Sequence, residues 1–249
     1  DGELDLPFTG RSAELAQLLG WLEETESGAG GVAFIEGEAG IGKTRLLAEL
    51  GALVRERGDL VLEARCFQDE SEAPHAVLVR SFAAMSGPTD DRELALELGP
   101  YSAAMSRLLP QLGRREAEVD ARADPEEQRQ LLHEGVRRAL LFLARRAPLL
   151  LALDDVQWCD VDTLGIVRHV ARSIARARIL IVLAFRPCER PSDDPRSEAL
   201  AWLRREAACK GLEVAELRSG AVLRIVDRVL PDSEPSLRRA LEYYEQAVE

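Results

Sequence analysis

The densest chemistry in the chain lies in eight residues, Gly37-Glu38-Ala39-Gly40-Ile41-Gly42-Lys43-Thr44. The pattern G-x-x-x-x-G-K-T is that of a loop that wraps a polyphosphate. Glycines at 37, 40 and 42 let the backbone curl until successive N–H groups, those of Glu38, Ala39 and Ile41 among them, face one anion. Lys43 adds a mobile point charge for the β- and γ-phosphates, and the Thr44 hydroxyl is placed to ligate Mg²⁺. A helix opening with Arg45 turns its positive N-terminal end on the same phosphates. The expected ligand is a nucleoside triphosphate.

A second group of candidates lies more than a hundred residues on. The apolar run Leu149-Leu150-Leu151-Ala152-Leu153 ends in Asp154-Asp155. An acid at the end of a buried strand can hold Mg²⁺ opposite the Thr44 hydroxyl, and a second can orient or deprotonate the attacking water. Asp154 is assigned to the metal and Asp155 to the water. Asp155 is one methylene shorter than glutamate, which favours slow turnover, so Asp155→Glu is expected to speed hydrolysis. Arg186 directly follows the apolar run 179–185 and is expected at the γ-phosphate. No N-K-x-D tetrapeptide occurs, so adenine is expected as the base, held by backbone and apolar contacts from Phe8 through Gly10 and Arg11.

The elements that must position these residues alternate in type. Val32–Ile35 reads as a buried strand before the loop. After it, Leu46, Leu47, Leu50, Leu53 and Val54 recur at helical spacing up to Gly58. Leu60–Cys66, Leu149–Leu153, Ile179–Phe185 and Leu212–Leu217 read as further strands. Helices are expected before the first strand (Leu15, Leu18, Leu19 and Leu22 on one face), at 125–146 with Asp124 as N-cap, at about 160–176 and at about 197–210. Between 67 and 124 only short helices are expected, near 75–86, 92–98 and 101–112, with a charged loop at 114–124. Alternation of this kind predicts an α/β fold, a P-loop NTPase with a parallel β-sheet flanked by helices on both faces. The core is expected over 1–217 and the start of a helical lid over 218–249, with Leu237, Leu241, Tyr244 and Val248 forming one apolar stripe.

With 249 residues, 46% of them hydrophobic, the chain can bury one large core. Its net charge of −12 argues against direct nucleic acid or anionic lipid binding by this piece. The arginine pairs at 114–115, 137–138 and 145–146 read as solvated helix faces. The four cysteines stand far apart without C-x-x-C spacing, so neither zinc nor a disulfide framework is expected. His75, His133 and His169 share no ligand spacing. Absence of an eighteen-residue apolar run or a signal core points to a cytoplasmic protein with no membrane contact. The start at Asp1 suggests a piece of something longer.

Phe8-Thr9-Gly10-Arg11 with Glu14-Leu15, the loop through Leu47, Leu149 to Trp158 with Asp160 and Thr163-Leu164, and Phe185-Arg186-Pro187 together carry a resemblance. The chain resembles the STAND-class, AAA-like ATPase module of bacterial LuxR-type large ATP-binding transcriptional regulators and related multidomain activators. That resemblance implies a switch: ADP holds a closed form, and exchange for ATP permits opening and homo-oligomer assembly. It implies that Gly10-Arg11 cradles adenine and ribose and that Arg186 senses the γ-phosphate. It also implies C-terminal sensor, repeat and DNA-binding domains outside this chain. The expected function is therefore a regulatory ATPase with ATP/ADP and Mg²⁺ as cofactors, hydrolysing slowly. A small-molecule P-loop kinase would instead leave phosphate on a metabolite. An origin-recognition-type ATPase would bind duplex DNA with salt dependence.

Overall fold

The structure is a computed structural model that describes residues 8–68, 74–84, 91–110, 112, 124–187, 194–206 and 209–229. Five strands build its sheet: β1 (Gly31–Glu36), β2 (Leu60–Arg65), β3 (Leu149–Asp154), β4 (Ile179–Phe185) and β5 (Cys209–Glu213). They run in the order β2-β3-β4-β1-β5, and every neighbouring pair is parallel. Each connection is therefore a crossover, and all strands end on the same edge.

Because side chains alternate along a strand, each strand feeds both faces of the sheet. Val32 and Phe34 of β1, Leu149, Leu151 and Leu153 of β3, and Ile179, Ile181 and Leu183 of β4 enter one core. Ala33 and Ile35, Leu150 and Ala152, and Leu180, Val182 and Ala184 enter the other. This is why these strands read as unbroken apolar runs instead of alternating ones. The second core is roofed by α1 (Ser12–Glu26) through Leu15, Leu18 and Leu22, and by α2 (Lys43–Glu56) through Leu46, Leu47, Leu50 and Val54.

The first core is larger. It takes α3 (Ala76–Ala83), α4 (Asp91–Leu98), α5 (Ser102–Met105), α6 (Pro125–Arg146), α7 (Val161–Ala171) and Leu203 of α8 (Pro195–Glu206). The Asp124 side chain caps α6 by accepting from the Glu126 amide, with proline at the first helical position. Asp160 caps α7 twice, accepting from the Thr163 amide at 2.8 Å and its hydroxyl at 2.6 Å.

Several boundaries differ from the sequence reading. The last strand is Cys209–Glu213 rather than 212–217: Lys210 and Gly211 pair with β1 despite poor strand propensity, and only the Val214 amide continues the ladder, to Glu36 O at 2.7 Å. The helix expected over 101–112 closes at Met105, and Gly99–Tyr101 forms a 3₁₀ turn before it. The helix expected to reach 176 ends at Ala171. A ninth helix among the described residues, α9 (Ser219–Val229), stands where the lid was expected to begin. The apolar stripe from Leu237 to Val248 and most of the charged stretch 114–124 lie outside the described residues. No described helix is long and apolar enough to cross a membrane.

Candidate functional site

The loop between β1 and α2 sits at the sheet edge where all strands end. Gly40 and Gly42 have φ of +75° and +102°, and Gly42 is the residue from which α2 springs. A side chain at either position would be strained, so the glycines are demanded by the turn itself. Lys43 is the first residue of α2 and is only 5% exposed. Its Nζ donates to the Gly37 and Glu38 carbonyls, both at 2.7 Å, so the ammonium lies within the loop. Burial, then the charge of Arg186, lowers its pKa against the opposing pull of Asp154 and Asp155. The loop tip, Glu38 to Gly40, faces solvent, as do Thr44 and Arg45.

Strand β3 brings both acids to this loop. Thr44 Oγ1 donates to Asp154 Oδ2 at 2.6 Å, so hydroxyl and carboxylate oxygens converge. Burial raises the pKa of Asp154, and the neighbouring Asp155 charge adds to that rise while the Thr44 bond opposes it. Two hard oxygen donors side by side, one a carboxylate, fit Mg²⁺, which commonly takes one or two carboxylates with its remaining positions on phosphate and water.

Asp155 is held quite differently. Its backbone is left-handed, with φ +53°, a conformation few residues other than glycine adopt and one concentrated at functional sites. Arg65 donates to Oδ2 from Nε at 2.9 Å and lies within 2.7 Å through its terminal nitrogen. Gln157 Nε2 donates to Oδ1 at 2.7 Å. Arg186 Nε lies 3.7 Å from the same oxygen, and the Arg186 amide donates to Gln157 Oε1 at 3.3 Å. Burial alone would raise this acid's pKa, but the bonds from Gln157 and Arg65 and the charges of Arg65 and Arg186 outweigh it and hold the carboxyl below its ordinary value.

Arg65 and Gln157 are the site residues that sequence reasoning missed. Parallel pairing sets Arg65 opposite Asp154, so aligning the ends of β2 and β3 would have found it. Gln157 lies in the 3₁₀ turn Val156–Trp158 just after the acids.

The N-terminal residues gather on the other side of the loop. Phe8 packs against the α1–α2 core. Arg11 is buried, pairs with Glu14 at 2.8 Å, and donates to Ile41 O at 3.0 Å and to Ala215 O. One guanidinium thus ties α1, the phosphate loop and the exit of β5 together. Gly10, at φ +77°, leaves no room for a side chain: a Cβ there would stand 2.5 Å from that of Ala221 in α9.

A cavity of about 720 Å³ opens beside the loop, between Pro187 and the β5 exit. Gly37, Glu38 and Ile41 of the loop line it together with Glu213, Val214 and Glu216, and Lys43, Thr44 and Asp154 do not. The cavity therefore shares Gly37, Glu38 and Ile41 with the loop and adjoins it on the β5 side. His133 and His169, unrelated in sequence spacing, come within 5.9 Å ring to ring on α6 and α7. Among the described residues no group of three or more His, Cys, Asp or Glu could hold a metal ion.

Residues 7–183, most of the chain, match the AAA ATPase domain family model. The chain belongs to the AAA ATPase domain family. This AAA ATPase domain is 29% identical over 202 residues to an uncharacterised protein of Rhizobium meliloti (strain 1021), covering 75% of the chain but only 19% of that protein. Its fold is similar to that of Cdc6p from Pyrobaculum aerophilum, with a TM-score of 0.50 at 17% identity, covering 92% of this chain and 51% of the other. AMPPCP-bound DnaA from Aquifex aeolicus shows a weaker likeness, with a TM-score of 0.44 at 18% identity over 94% of this chain and 55% of that one. The AAA ATPase domain thus spans about a fifth of the curated relative and about half of each solved chain.

Proposed function

We propose that this AAA ATPase domain is the nucleotide switch of a larger regulatory protein, in which it binds ATP or ADP with Mg²⁺ and hydrolyses ATP slowly. The observation that carries the reading is the engagement of Asp155, whose two carboxylate oxygens are met by Arg65 and Gln157, with Arg186 alongside. A carboxylate held below its ordinary pKa is a weak base, so it orients water better than it deprotonates it. Removing its water-facing lone pairs slows turnover further, because attack requires a water held in line.

In this reading the loop amides and Lys43 bind the phosphates, the ammonium exchanging loop carbonyls for phosphate oxygens. Thr44 and Asp154 would hold Mg²⁺, which would supply charge neutralisation at the phosphate oxygens. Arg186, beside both Asp155 and Lys43, meets the γ-phosphate and draws away from Asp155 as it does so. Phe8, Gly10 and Arg11 border the adenine, and the Gly10–Ala221 contact passes the nucleotide state to α9 and to segments beyond it. A role in transcription and ATP-dependent self-assembly follow from the resemblance to multidomain regulators.

The test is to denature the purified chain and identify any released nucleotide by chromatography, beside Lys43→Ala. Stoichiometric ADP from the wild type and none from the variant is expected. An empty wild-type protein that turns over ATP freely contradicts the switch and favours a constitutive enzyme.

A further inference from the structure

Two cysteines that stand 93 positions apart in the sequence meet beneath the Asp155 cluster. Cys66 directly follows Arg65 at the end of β2, and its amide donates to Asp154 O at 2.9 Å. Cys159 closes the turn that carries Gln157, its amide donating to Val156 O at 3.1 Å. Both thiols are buried in the same core, at 3% and 2% exposure, and both line one small crevice. One thiol is thus anchored behind each of two side chains that hold Asp155.

The pair is not sealed. A crevice bounded by Phe67, Arg80, Trp158 and Asp160 reaches both cysteines, with a volume of about 10 Å³. That is near the smallest space a single water molecule fills. A space of that size refuses a bulky oxidant.

We propose that Cys66 and Cys159 form a site of reversible oxidation by a small peroxide, whose closure as a disulfide slows ATP turnover; this second part rests on the ATPase reading above. In the first step the Cys66 sulfur attacks one peroxide oxygen and the O–O bond breaks, giving a sulfenic acid and one water. In the second, the Cys159 sulfur attacks the Cys66 sulfur, and the hydroxyl leaves with the Cys159 proton as a second water. Two thiols lose two electrons and two hydrogens, and one peroxide becomes two waters. The neighbouring Cys66 thiol, and then burial, push the Cys159 thiol well above its ordinary pKa, which makes it the slower nucleophile and leaves the attack on peroxide to Cys66.

Closure draws the two sulfurs to about 2.05 Å. Because Cys66 adjoins Arg65 and Cys159 lies two residues from Gln157, the pull falls on both holders of Asp155 at once. The bond also staples the end of β2 to the turn that follows β3, where Arg65 must move if Asp155 is to engage water.

The test uses the full chain carrying Cys188→Ser and Cys209→Ser, which leaves this pair as its only thiols. Treatment with hydrogen peroxide is expected to remove two hydrogens by mass and to yield one cross-linked peptide pairing Cys66 with Cys159. ATP turnover is expected to fall at least tenfold and to return with dithiothreitol. A bulky aromatic disulfide reagent is expected to leave the native pair untouched. Adding Cys159→Ala should abolish both the cross-link and the peroxide effect. Peroxide that leaves the mass unchanged, or produces only sulfinic acid, overturns the site; a cross-link formed with turnover unaltered overturns the coupling. The mass readout needs neither nucleotide nor a buried substitution. A chain that cross-links but neither binds nor hydrolyses ATP would sink the ATPase reading and leave the thiol site standing.

Discussion

The phosphate side of the proposed site and its proposed base side are built on different foundations. Lys43, Thr44, Asp154 and Asp155 stand at the ends of a helix and a strand whose side chains are locked into two cores. On the base side, one buried guanidinium holds α1, the loop and the β5 exit together, and one glycine lets α9 approach. Beyond Ala221, α9 offers Val222, Leu223, Ile225 and Val226 only half-buried. Elements with few fully buried contacts open at the lowest cost, and switching segments come from that class. On the proposed reading the phosphate side holds nucleotide and the base side moves in response to it.

Removing the phosphate anchor should produce the largest effect. Lys43→Ala is expected to weaken ATP and ADP binding at least a hundredfold by calorimetry while the fold persists, since the strands do not depend on this ammonium. Retained affinity would move the phosphate site elsewhere. Asp155→Asn should come next, lowering single-turnover hydrolysis by roughly a hundredfold with little change in affinity, while Arg65→Ala frees one carboxylate oxygen and should raise the rate several-fold. A slower Arg65→Ala enzyme would mean that Arg65 assists the reaction instead of restraining it.

On the base side, Arg11→Ala strips a buried partner from Glu14, Ile41 and Ala215. A loss of about 3 kcal/mol in urea unfolding is expected, as for other broken buried pairs, together with faster ADP release. An effect confined to stability would show that Arg11 does not couple the two sides. Gly10→Ala should act more mildly, loosening α9 through the clash with Ala221 and lowering the melting temperature by a few degrees.

The smallest expected effects divide the two acids by sign. Asp155 has its pKa depressed on folding, so it stabilises the protein above the ordinary carboxylate value, and that contribution is lost as pH falls through the depressed value. Asp154 has its pKa raised, so its contribution is present at low pH and lost as pH rises through the raised value. Without Mg²⁺ at neutral pH, Asp154→Asn should therefore raise the melting temperature slightly and Asp155→Asn lower it. Shifts of the same sign would mean that the two carboxylates share one environment.

Much of the proposed phosphate side was legible in the sequence because its groups come from contiguous motifs. Glycine spacing announces the loop, and an apolar run ending in two acids announces β3. The three central strands, β1, β3 and β4, lie in that run or others like it, so the parallel sheet followed. Arg65 and Gln157 were not legible as partners of Asp155, since their role depends on strand register and on a left-handed turn that no local pattern encodes. The thiol pair was hidden for the same reason: a spacing of 93 residues carries no signal until β2 and β3 are paired. The edge strand was misplaced because Lys210 and Gly211 are held there by pairing with β1, against their own preferences.

Amide hydrogen exchange with ADP, and then with a non-hydrolysable ATP analogue, tests the central claim most directly. Protection at α9 and residues 214–218 should differ between the two nucleotides, while β1, β3 and β4 exchange alike in both. Identical protection of α9 with either nucleotide would contradict the account, leaving a nucleotide-binding domain that does not report which nucleotide it holds.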